Sequence, residues 1–159
     1  MEKMTNEKAE WMFRKLEENI RRERSSLNGM LDIHFVSCSV EDRTAEFLFT
    51  AETWQRNVYG GLHGGMIATV LDSCMGIASG VFREKPASTV SMNVQYLQPA
   101  AGETYRVLVS LPHMGHRIIH TAAEMISAED DVNCALAEGV FTVRESMDMA
   151  ERLGGDFPE

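Results

Sequence analysis

Between Met66 and Val81 the chain carries a single charged residue, Asp72, in a run that is otherwise apolar or small. An unpaired carboxylate is expensive to bury unless it is hydrogen-bonded or neutralised. One kept in such a setting reads as a general base or nucleophile in a dry cleft. The alternative is a narrow exposed helical stripe shared with Thr69, Ser73 and Gly76. Just upstream, Gly64 and Gly65 stand where a helix over this run would begin. They lack side chains, so a ligand can approach the backbone. Their N–H groups have no intrahelical partner and lie at the positive end of the helix dipole. Such donors suit an oxygen gaining negative charge, as in a thioester carbonyl under attack or a phosphate; a flexible Gly-Gly turn is the plainer reading.

Spacing constrains how these groups cooperate. Asp72 follows Gly64 by eight residues, about 12 Å along a helix rising about 1.5 Å per residue. A base that far from its oxyanion donors cannot serve the same carbonyl. If both act, Gly64 of one subunit meets Asp72 of another, and an antiparallel helix pair about a two-fold axis builds that site twice. Function read from this motif therefore predicts a homodimer.

The elements that must position these residues follow from periodicity. Asn6 to Arg24 places Ala9, Met12, Phe13, Leu16 and Ile20 at helical spacing, with Thr5 or Asn6 as cap and Arg21, Arg22 and Arg24 late. Leu31, Ile33 and Phe35 alternate, then the phase slips to Val36, Cys38 and Val40, which predicts a bulged strand. A turn at Glu41–Arg43 leads to a second strand from Ala45 to Phe49. After the long helix, alternation predicts four strands: Val90 to Tyr96, Tyr105 to Leu111, Arg117 to Ile126, and Cys134 to Val143. The last is apolar on both faces and reads as a central strand covered on both sides. The tail after Arg144 is polar and reads as fraying, with a short helix through Leu153. Helix, two strands, apolar helix and four strands form an α+β pattern, with an antiparallel sheet curled around the only apolar helix available to it.

Taken together, Asn57-x2-Gly60-x2-His63-Gly64-Gly65, then Asp72 and Gly76-Ile77-Ala78, resembles the signature of the PaaI-like hot-dog-fold thioesterases. The segment Thr89 to Ala100 resembles that family's third strand and its exit. The resemblance implies a hot-dog fold with an added N-terminal helix, hydrolysis of acyl-CoA or aroyl-CoA thioesters, and no cofactor beyond the coenzyme A of the substrate. It also implies a homodimer with shared sites, assembled into a homotetramer. By the same resemblance, Gly64 polarises the thioester carbonyl, and Asp72 activates water or attacks directly. Asn57 and His63 shape the carbonyl side, and Thr89 positions the nucleophile, where the family more often has Ser. Ser88 or Ser91 could take that place by a small slip. Asn57 otherwise reads as a turn residue, His63 as a helix N-cap or a core histidine, and Thr89 as an ordinary strand residue. A non-catalytic acyl-CoA-binding module and a hot-dog hydratase are the rival functions.

The remaining signals bound the reading. A chain of 159 residues with 44% hydrophobic and 25% charged residues predicts one domain, divided as helix 5–24, core 31–145 and tail 146–159. A net charge of -9 argues against nucleic acid and anionic membrane, and requires a local basic patch for coenzyme A. His116 and Arg117 are the candidates to meet its phosphates, with Gly65 as a further substrate contact. His113, His116 and His120 have metal-like spacing, but Pro112 and Gly115 break any helix there, so no metal is expected. Cys38, Cys74 and Cys134 read as buried hydrophobes in a reducing cytoplasm, and Cys74 has no base placed for it. The N-terminus has no apolar signal-like region, and no run of eighteen apolar residues predicts a membrane span.

Overall fold

In the computed structural model, which describes residues 4–155 and 157, the apolar run after His63 is one helix, α3, over Gly64–Arg83. Before it come α1 (Asn6–Arg22), α2 (Leu27–Met30), β1 (Asp32–Ser39) and β2 (Thr44–Thr50). After it come β3 (Ala87–Tyr96), β4 (Thr104–Met114), β5 (Ile118–Ser127), β6 (Asn133–Val143) and α4 (Met149–Leu153). The six strands form one antiparallel sheet in the order β1-β2-β4-β5-β6-β3, so β3 is an edge. The sheet wraps α3, as expected of a hot-dog fold.

One side of α3 supplies the core. Val70, Leu71, Cys74, Met75, Ala78 and Val81 are fully buried, and they meet Phe47, Tyr105, Val107, Ile119, Met125 and Phe141 from the strands in one hydrophobic cluster. By length and composition α3 could cross a membrane, yet 56% of its most apolar window is buried within this fold. Its other side is covered incompletely. Ala68, Thr69, Asp72, Ser73, Gly76 and Ile77 recur at three- and four-residue spacing and are only half-buried. Asp72 therefore lies on a partly open stripe of the helix rather than fully inside the core.

The N-terminal helix is integral to this packing. Thr5 Oγ1 accepts the Lys8 N–H as its cap, and Phe13 stacks on Phe35 with centroids 4.5 Å apart. The helix ends at Arg22, two residues before the expected boundary, and α2 follows as a turn that periodicity did not signal. The expected bulge in β1 falls at Val36, which is exposed.

Two expectations are corrected. In β6, Ala135, Ala137, Gly139, Phe141 and Val143 face α3 in one phase, but Leu136 and Val140 on the other face are only half-buried. The strand is interior to the sheet without being covered on both faces. The tail docks instead of fraying: Met149 and Leu153 are buried, and the Met149 N–H donates to the Glu84 carbonyl.

Candidate active site

The chemistry-bearing residues fall into two clefts along the open side of α3. At the N-terminal end, the strand-to-helix loop is drawn tight by its own side chains. Asn57 Oδ1 accepts the Tyr59 N–H at 2.9 Å, the Gly60 N–H returns to the Asn57 carbonyl, and Gly60 takes a φ of 86° that favours glycine. His63 is the N-cap of α3, its Nδ1 accepting the Gly65 N–H at 2.9 Å. Among the described residues nothing accepts the Gly64 N–H. It stands at the positive end of a twenty-residue helix, open to an incoming oxygen. A cleft of about 640 Å³ holds Asn57, Gly64 and Tyr96 in its lining.

Tyr96 was not singled out by the sequence beyond its place in the strand. Its hydroxyl donates to the Gly64 carbonyl at 2.9 Å, and its ring covers the glycine so closely that a Cβ there would sit 3.4 Å from Cε1.

Further along α3, Thr89 Oγ1 donates to Asp72 Oδ1 at 2.7 Å. Among the described residues Oδ2 has no hydrogen-bond partner, so the carboxylate has one oxygen held and one free. The hydroxyl partner is Thr89 itself, not Ser88 or Ser91. It precedes a register shift between Thr89 and Ser91 that throws Val90 outward. Asp72 and Thr89 line a second cleft of about 440 Å³, walled by Leu16 and Ile20 of α1, Asn28 of α2, Ile77 of α3 and Leu153 of α4. Beside the carboxylate, Ser73 donates to Asn28 Oδ1 at 3.1 Å. These helical walls were not expected, because nothing in the spacing of α1 indicates which strand or helix it packs against.

The two clefts share no lining residue. Within one chain, Gly64 and Asn57 line one cleft, and Asp72 and Thr89 the other.

His116 and Arg117 line neither cleft. They sit in the β4–β5 turn at the C-terminal end of α3, where Arg83 Nη2 donates to the His116 carbonyl at 2.8 Å and His116 Nδ1 lies 3.6 Å from Glu145. His113 and His120 face each other across β4 and β5. Among the described residues no group of three His, Cys, Asp or Glu is arranged to hold a metal ion. Burial drives the Cys74 thiol far above its ordinary range, and burial followed by Glu10 pushes Cys38 up to about 11. Neither offers a thiolate at neutral pH.

With this geometry in view, the comparisons are direct. Residues 59–134, which carry Gly60 to Gly65, α3 and strands β3 to β5, match the sequence pattern of the thioesterase superfamily. No curated protein matches the chain in sequence. Among solved structures, the PaaI protein of the E. coli phenylacetic acid degradation operon superposes with a TM-score of 0.69 at 17% identity, over 84% of this chain and 96% of that one. Thioesterase superfamily member 2 from Mus musculus superposes with a TM-score of 0.70 at 21% identity, over 83% and 96%. The protein smu.793 of Streptococcus mutans UA159, solved bound to acetyl CoA, superposes with a TM-score of 0.64 at 20% identity, over 71% and 89%. The superpositions show that this chain has the hot-dog fold of these proteins, and the thioesterase superfamily pattern matches residues 59–134 of it.

Proposed function

We propose that the protein hydrolyses acyl-CoA or aroyl-CoA thioesters in active sites shared between two copies of the chain. The observation that carries this reading is the Asp72 carboxylate, held through Oδ1 by Thr89 and free at Oδ2, as the only acidic group on the open stripe of α3. A base or nucleophile needs one lone pair available and the group fixed in direction, and a purely binding module needs neither.

The carbonyl is polarised by the Gly64 N–H at the head of α3, with Asn57 and His63 beside it. Because Gly64 and Asn57 line one cleft and Asp72 another, about 12 Å apart along the helix, the complete site takes one cleft from each copy. The half-covered stripe of α3 and the exposed edge strand β3, with Val90 and Tyr96 each more than half exposed, are the surfaces such a partner would cover. The coenzyme stays with the substrate, and its phosphates meet the His116–Arg117 turn. No further cofactor takes part.

The test is thiol release from a panel of acyl- and aroyl-CoA thioesters, with Asp72→Asn as control. The variant should fold and bind substrate, and lose roughly 10²- to 10⁴-fold or more in kcat. Near-normal kcat in a folded Asp72→Asn protein would refute the role of Asp72. Absence of thiol release by the wild type across the panel would leave a binding module.

A further inference from the structure

We infer that Tyr96 is a positioning residue of the carbonyl half-site, acting on His63 through a single peptide group. This rests on the thioesterase reading for its purpose, but not for its geometry. The Tyr96 hydroxyl donates to the Gly64 carbonyl at 2.9 Å, and the N–H of the same peptide, that of Gly65, donates to His63 Nδ1 at 2.9 Å. Donor to carbonyl, then amide N–H to imidazole, is a head-to-tail chain in which each bond polarises the next.

Two consequences follow. An Nδ1 that accepts a hydrogen bond carries no proton, so the neutral ring bears its proton on Nε2. Among the described residues no acceptor holds Nε2, which leaves that N–H free to donate on the exposed N-cap next to Gly64. The Tyr96 ring lies against Gly64 as well, 3.4 Å from where a Cβ would stand. One side chain therefore covers the oxyanion glycine and aligns the histidine next to it. An edge-strand tyrosine with a half-exposed ring has little packing reason to bond its hydroxyl to a helix's first carbonyl, which already lies within hydrogen-bond reach of the helix's own amides. The arrangement instead sets the direction of the Gly64–Gly65 peptide and, through it, the tautomer of His63.

The experiment uses the full-length protein with ¹⁵N-labelled histidine and the variant Tyr96→Phe, which keeps the ring and removes only the donor. The wild type should show His63 with an unprotonated Nδ1 and a protonated Nε2. In Tyr96→Phe the two nitrogen resonances should move toward each other as the tautomers mix. This readout needs no activity, so it stands even if the wild type releases no thiol, an outcome that would count against the hydrolase reading alone. In an active enzyme, Tyr96→Phe should lower kcat roughly fivefold, the scale of one neutral hydrogen bond, and should have almost no effect when added to His63→Ala. Unchanged His63 nitrogen shifts in Tyr96→Phe, or the same fold-loss in the His63→Ala background, would overturn the relay and leave Tyr96 as packing for the head of α3.

Discussion

If each active site takes its carbonyl end from one chain and its carboxylate from the other, two inactive proteins should repair each other. The natural pair is Asn57→Asp and Asp72→Asn. Asn57→Asp keeps the Oδ1 that accepts the Tyr59 N–H and so preserves the turn, while removing the amide donor. Asp72→Asn keeps the shape of the side chain and an oxygen for Thr89. Each alone should retain about 1% of activity or less, as expected for loss of a group acting in the transition state. In a mixed dimer, the unaltered Asn57 of one chain meets the unaltered Asp72 of the other, and the second site carries both defects. Random pairing of equal amounts makes about half the dimers mixed, each with one intact site of two, so about a quarter of wild-type activity should return. That is at least roughly 25-fold above either parent. The assay is thioester hydrolysis by the unsorted mixture after co-expression, with mixed dimers verified through differential tags. Were each site built within one chain, every site would keep one defect. Activity no higher than the parents in verified mixed dimers would refute the shared site.

The other predictions probe single links. Thr89→Val removes a charge-assisted hydrogen bond to Asp72 and should lower kcat roughly 10- to 150-fold with little change in KM, and Thr89→Ser should restore most of it; equal kcat in Thr89→Val would make the hydroxyl incidental. Phe13→Ala should lower stability by about 3–5 kcal/mol in urea titration with an unchanged m-value, because the ring is buried against Phe35, Phe47 and Phe82. A cost under about 1 kcal/mol would detach α1 from the core. Cys74→Ala should keep kcat and lose only about 1 kcal/mol of stability, since the thiol is buried and held protonated. Glu129 accepts the backbone N–H groups of Thr104 and Glu103, which hold its carboxyl below the ordinary carboxylate range. Its contribution to stability is complete at neutral pH and disappears as pH falls through that lowered value. The stability gap between wild type and Glu129→Gln should therefore narrow on acidification, and a gap constant from neutral to strongly acidic pH would contradict this.

What could be read before any coordinates was whatever repeats along the chain. Period-two alternation marked the strands, and the one long apolar run marked the helix they wrap, because both patterns record which side of an element avoids water. The chemical candidates were readable for the same reason: Asp72 stands out as a charge against an apolar background, and Gly64 as the first position of a helix. The phase slip at Val36 was visible too, because a bulge changes the parity of burial. Other features depend on which elements lie beside each other, and linear spacing does not encode that. The contact of Thr89 with Asp72, the cover of Tyr96 on Gly64 and the walls that α1 and α4 give the carboxylate cleft all join residues 17 or more positions apart. The tail looked polar enough to fray, yet two apolar side chains and one backbone hydrogen bond dock it, and a five-residue helix is too short to show a period. Asp72 shows the division most clearly. Its isolation was evident from composition along the run. Only the tertiary structure placed it on the uncovered stripe of α3, with one oxygen held by Thr89 and the other free, because the sheet curls far enough to bury one side of that helix and not the other.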